Sequence, residues 1–129
     1  MTEKNAAFLI VDDEPDMCWA LENILKNNGV RSQKAYNGQD ALRRVKKNRF
    51  EVAFLDAKLP DIEGLELSKQ IRKISPSIRI FIVSGYFYRD DPSILQAMAE
   101  GSISGFIAKP FNHDDIVKII EQGNGVHIP

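Results

Sequence analysis

Short apolar runs alternate with stretches whose apolar residues recur every three or four positions, and the alternation repeats five times along the chain. Phe8–Val11 is apolar and stops at Asp12-Asp13-Glu14-Pro15. An apolar run of about four to eight residues bounded by turn signals predicts a buried strand. Pro15 fits the first turn of a following helix, where its missing N–H costs nothing. Met17, Leu21, Ile24 and Leu25 mark the inner stripe of that first helix, Cys18 and Trp19 fall off it, and Asn27-Asn28-Gly29 ends it. Val30–Tyr36 reads as a more polar second strand, suited to a sheet edge, and Asn37-Gly38 is a turn. Ala41, Leu42 and Val45 line a second helix, with Arg43, Arg44, Lys46 and Lys47 on its wet face.

The third strand, Val52–Leu55, stops at Asp56, and Pro60, Asp61 and Gly64 supply a turn. Leu65, Leu67, Ile71 and Ile74 predict a third helix ending at Ser75-Pro76, because a residue before proline avoids the helical region. Ile78–Val83 is the fourth strand and leads into Ser84-Gly85. After the loop Tyr86–Asp91, Asp91 and Pro92 form a helix start, Ile94, Leu95 and Met98 its inner face, and Gly101 its stop. Ser104–Ala108 is the fifth strand and runs into Lys109-Pro110. Asn112 caps a last helix carrying Ile116, Val117, Ile119 and Ile120, and Gly123–Pro129 reads as a frayed tail. Strands separated by helices pair in parallel through right-handed crossovers. Near-continuous apolar runs in strands one, three and four call for burial on both faces. The expected fold is a three-layer α/β sandwich.

Composition narrows the class. With 129 residues, 43% hydrophobic and 27% charged, the chain suits one domain with a sizeable core. A net charge of −1 gives no electrostatic grip on nucleic acid or an anionic membrane. The single cysteine, Cys18, rules out an internal disulfide, no run is long enough to span a bilayer, and Met1–Ala7 has no signal-peptide core. These features lead to the expectation of a cytoplasmic protein. His113 and His127 lack metal-ligand spacing.

The chemistry gathers at one place. If all five strands run the same way, their C-terminal ends share one edge, where open α/β sheets bind their ligands. Asp12 and Asp13, Asp56, Ser84 and Lys109 all fall there. A lone Asp after a strand is most often a turn residue; three carboxylates, a hydroxyl and an ammonium on one rim point to a site. Two carboxylates about 4 Å apart repel by roughly 4 kcal/mol at an effective dielectric near 20. The cluster therefore calls for a proton or a cation, and all-oxygen ligands suit Mg²⁺. Asp56 is then placed as a nucleophile able to form an acyl phosphate.

The segments Val11-Asp12-Asp13-Glu14-Pro15, Leu55-Asp56 with Leu59-Pro60 and Gly64, Val83-Ser84-Gly85 and Lys109-Pro110-Phe111 resemble those of receiver domains of two-component response regulators. The resemblance covers nearly the whole chain, with residues 1–123 as the receiver and 124–129 as a tail or linker. It implies a flavodoxin-like sheet in strand order 2-1-3-4-5. It further implies that Asp56 accepts a phosphoryl group from a sensor histidine kinase or histidine phosphotransfer protein. Asp12, Asp13, Asp56 and the backbone carbonyl of Lys58 would hold Mg²⁺ (or Mn²⁺), Ser84 and Lys109 would contact the phosphoryl oxygens, and Lys109–Pro110 would be cis. Ser84 and Phe106 would form a switch acting on the face of helix four, strand five and helix five. The downstream effector is unknown. The resemblance implies neither nucleic-acid nor membrane contact by this domain, and a homodimer through the output face stays open although no sequence feature supports it.

Lys58 and Tyr86 should flank the phosphoryl site, as exposed rim residues or as obstacles to hydrolytic water. Trp19 either leans on a neighbouring helix or serves kinase docking, and the aromatics Tyr86–Tyr88 either pack inward or form a partner patch. Three rival readings are weaker. A flavodoxin-like cofactor binder would meet a phosphate with Asp12-Asp13-Glu14. An Asp-nucleophile phosphatase would need a separate acid/base and a cap. A degenerate docking module would lack the full polar set. The chain ends after the fifth helix, which suits a stand-alone receiver or the first domain of a longer regulator.

Overall fold

The structure is a computed structural model and describes residues 7–85 and 90–123. Five parallel strands form one sheet in the order β2-β1-β3-β4-β5: β1 (Ala7–Val11), β2 (Ser32–Ala35), β3 (Phe50–Asp56), β4 (Arg79–Ser84) and β5 (Gly105–Ala108). Five helices connect them: α1 (Pro15–Asn27), α2 (Gly38–Lys47), α3 (Gly64–Ile74), α4 (Pro92–Glu100) and α5 (His113–Gly123). This is the expected three-layer, flavodoxin-like arrangement, with the polar β2 at an edge. Residues of β1 are buried throughout, as are those of β3 apart from Glu51 and of β4 apart from the half-buried Arg79.

The sheet separates two apolar clusters. One joins alternate residues of the central strands, including Leu9, Leu55 and Ile82, to α2, α3 and α4 through Val45, Leu67, Ile71 and Ile94. The other joins Ile10, Phe54 and Val83 to α1 and α5 through Cys18, Leu21, Leu25, Ile116 and Ile120. Strand alternation sends successive side chains to opposite faces, so each strand feeds both clusters.

Four expectations need correction. On α1 the buried stripe is Cys18, Leu21 and Leu25, while Met17 is only half-buried. Cysteine behaves as a small hydrophobe and belongs on that stripe at helical spacing. On α4 only Ile94 and Ala97 are buried, whereas Leu95 and Met98, expected inside, are 53% and 42% exposed. On α3 the inner face is Leu67, Ser68 and Ile71, and Ile74 projects past the core at 38% exposure. The second strand is also shorter than Val30–Tyr36. The N–H of Val30 donates to the Leu25 carbonyl at 2.9 Å and closes α1 instead of joining the ladder.

Candidate functional site at the carboxyl edge of the sheet

The register fixes the rim. Val11 pairs with Leu55, Asp56 with Val83, and Ser84 with Ala108. The first polar residues past these pairs therefore emerge side by side. Asp12 (2% exposed), Asp56 (8%) and Ser84 (1%) are buried, and Asp13 faces solvent. Carboxylate oxygens of Asp12, Asp13 and Asp56, one from each, lie within 4.8 Å of one another. The Nζ of Lys109 donates to Asp12 Oδ2 at 3.1 Å and to Asp56 Oδ1 at 3.0 Å, and stands 3.8 Å from Glu14 Oε1. Asp12, Asp13, Asp56 and Lys109 thus meet at this edge, and Ser84 ends the neighbouring strand β4. The backbone N–H of Lys109 donates to the Ser84 carbonyl at 3.0 Å, and the Lys109–Pro110 bond is cis.

Electrostatics follow from this crowding. Burial pushes the Asp56 carboxyl above its ordinary range; the Lys109 hydrogen bond opposes that rise, and the charges of Asp12 and Asp13 add to it. Burial works against the charge on Lys109, yet its hydrogen bond to Asp56 and the carboxylates beside it hold its pKa above the ordinary lysine value. One ammonium faces three carboxylates, so the pocket keeps an excess of negative charge. The donor set is all oxygen. Its 4.8 Å spread is close to the roughly 4.2 Å between opposite oxygens of an octahedral Mg²⁺. The residues fit a small divalent cation.

Lys58, on the β3–α3 loop, forms an isolated bridge with Glu63, and its side chain, 55% exposed, stands 3.9 Å from the Glu63 carboxylate. Phe106 is buried and packs in the cluster that holds Ile94 and Ala97 of α4. It also lines a groove of about 690 Å³ along α4, β5 and α5, together with Leu95, Met98 and Lys118. Trp19 is 65% exposed on α1. Tyr86, the aromatic loop through Tyr88, His127 and the 124–129 tail lie outside the described residues.

Two neighbours escaped the sequence reading. The Cys18 thiol donates to the Asp12 carbonyl at 3.4 Å, directly behind the acidic pair. Asp61 falls in a predicted turn, but its carboxylate reaches the start of α2. Nothing local announces that contact, since its partners lie 22 and 23 positions earlier in the chain.

An acidic rim at the switch point of such a sheet, only partly offset by a single lysine, differs from the glycine-rich phosphate loop with which such folds cradle a dinucleotide. The sequence profile of the response regulator receiver domain matches residues 8–121, and the chain belongs to that family. Sporulation initiation phosphotransferase F of Bacillus subtilis is 34% identical over 112 residues, covering 87% of this chain and 88% of that protein. Transcriptional regulatory protein ZraR of Klebsiella oxytoca is 28% identical over 116 residues; these cover 90% of this chain but only 26% of that protein. The chain thus spans about a quarter of the length of such multidomain relatives. Among solved structures, a CheY-like response regulator receiver domain protein from Methanospirillum hungatei superposes with a TM-score of 0.84 at 28% identity, covering 93% of this chain and 94% of that one. Among the described residues no helix is long and apolar enough to cross a membrane.

Proposed function

We propose that Asp56 accepts a phosphoryl group from a phosphohistidine of a sensor histidine kinase or histidine phosphotransfer protein. An Asp56 carboxylate oxygen attacks phosphorus, the N–P bond breaks, and the histidine nitrogen departs with the bonding pair. Lys109, held between Asp12 and Asp56, offers its ammonium to the transferring oxygens, and the Ser84 hydroxyl donates a second hydrogen bond. Asp12, Asp13, Asp56 and the Lys58 carbonyl would hold Mg²⁺ or Mn²⁺. The bound ion would supply further neutralisation of the phosphoryl charge. One observation carries this reading: the ammonium of Lys109 sits 3.0 Å from one buried carboxylate and 3.1 Å from another, at the edge where the fold binds ligands.

Ser84 and Phe106 form the switch in this reading. The groove along α4, β5 and α5 is the surface through which phosphorylation alters effector contact. The whole receiver occupies residues 1–123 and works in the cytoplasm. Both a stand-alone receiver and the first domain of a longer regulator have counterparts among the relatives, one covered over 88% of its length and another over 26%.

The test is incubation with Mg²⁺ and a small phosphodonor, followed by intact mass. A single phosphoryl adduct that is absent from Asp56→Asn is expected. An adduct that persists in Asp56→Asn, or none in the unaltered protein, would refute the assignment.

A further inference from the structure

Asp61 stands in the loop between β3 and α3, three positions after Lys58. Both of its carboxylate oxygens are spent on another element. Oδ1 accepts the N–H of Gly38 at 2.8 Å, and Oδ2 accepts the N–H of Gln39 at 3.0 Å. These are the first two N–H groups of α2, and the third, from Asp40, goes to the Asn37 side chain at 2.8 Å. A helix N-terminus leaves such donors without intrahelical partners and favours negative charge. Those two hydrogen bonds hold the Asp61 carboxyl below the ordinary carboxylate range.

The next residue completes the fit. A Cβ at position 38 would collide with Ile62 Cγ2, so only glycine lets the loop lie this close to α2. The loop itself is a tight turn. The N–H of Leu59 donates to the Ile62 carbonyl at 3.2 Å, Lys58 bridges to Glu63, and the N–H of Gly64 donates to the Ala57 carbonyl at 2.8 Å. A turn so closed moves as a unit, and the Asp61 carboxylate ties that unit to the rest of the molecule through α2.

We propose that Asp61 is a positioning residue: its forked grip on the first turn of α2 fixes the loop that carries the Lys58 carbonyl, and thereby sets the affinity of the acidic rim for a divalent cation. The proposal rests on the reading that the rim holds such an ion. Mg²⁺ demands near-octahedral placement of its oxygens, so a backbone ligand allowed to wander costs affinity. Groups outside the direct ligand set that orient ligands carry a comparable share of metal affinity in other sites.

The experiment measures the dissociation constant of Mg²⁺ by calorimetry on the unphosphorylated protein, beside metal-free thermal unfolding. Asp61→Ala should weaken Mg²⁺ about tenfold, the low end of the range for outlying partners. Asp61→Asn keeps one acceptor oxygen and should fall between the two. Asn37→Ala removes a cap from the same helix but leaves the loop fastened. It should lower the unfolding temperature while keeping Mg²⁺ affinity within about twofold, since it orients no ligand. The proposal fails if Asp61→Ala binds Mg²⁺ as the unaltered protein does, or if Asn37→Ala weakens it equally. An unaltered protein that binds no Mg²⁺ would overturn the reading of the rim itself, and this proposal with it.

Discussion

Gly64 opens α3 directly against the backbone of the residue expected to carry phosphate. A Cβ built there collides with the Asp56 carbonyl oxygen and comes within 3.0 Å of the Ala57 Cα. The obstacle is backbone, which has no rotamer to yield. To restore van der Waals contact, the first turn of α3 must retreat by about 1 Å. That retreat stretches the Gly64 N–H···O=C Ala57 bond from 2.8 Å to roughly 3.8 Å, outside hydrogen-bond range. Losing that bond costs about 0.5–1.5 kcal/mol, and an overpacked contact costs about 1–3 kcal/mol. The higher helix propensity of alanine returns less than about 1 kcal/mol at a helix end. Gly64→Ala should therefore lose about 2–3 kcal/mol, read from urea unfolding at constant slope. Gly85→Ala is the matched control. Among the described residues its Cβ would meet only Lys109 Cβ, at an ordinary 3.7 Å. It should be neutral or stabilising within about 1 kcal/mol. A loss below about 0.5 kcal/mol in Gly64→Ala, or an equal loss in Gly85→Ala, would refute the close-approach account.

The raised pKa of Asp56 has a defined consequence for pH. Between the ordinary carboxylate value and the raised one, the folded state keeps a proton that the unfolded state has released, so stability falls as pH rises through that window. Without metal, Asp56→Asn should be more stable than the unaltered protein near neutrality, and the gap should close on acidification. Urea unfolding in a chelator across that range checks it, and an Asn variant less stable at neutral pH would contradict it. Burial, aided by the Asp12 charge, pushes the Cys18 thiol up to about 11. At a pH near 8 only about one thiol in a thousand is ionised, so a thiol reagent should label Cys18 only after unfolding. Labelling of the native protein within minutes would show that the thiol is neither buried nor suppressed.

Strand placement was legible because β1, β3 and β4 are buried on both faces, and burial on both faces leaves a plain apolar run. The rim was legible because each of Asp12, Asp56, Ser84 and Lys109 directly follows or ends such a run. Helix faces were less so. Leu95 and Met98 are apolar at helical spacing, yet they border the groove beside β5 and do not enter the core. Hydrophobicity marks what can be buried, whereas neighbours decide what is. Cys18 shows the converse, a residue expected off the inner stripe and found packed in the core. The contact of Asp61 with α2 could not be read at all. It joins a loop to a helix start that only the folded sheet brings together.

α4 is lightly anchored compared with the helices on the opposite face of the sheet. Its grip on the sheet is Ile94 and Ala97, whereas α1 and α5 each bury three apolar side chains, and α2 and α3 meet the sheet through Ala41, Val45, Leu67 and Ile71. Elements with little buried surface open at the lowest free-energy cost. Less buried apolar surface therefore fastens α4, beside Phe106, than fastens α1 or α5. In the proposed switch, a new charge at the rim would act on that helix more readily than on the central strands.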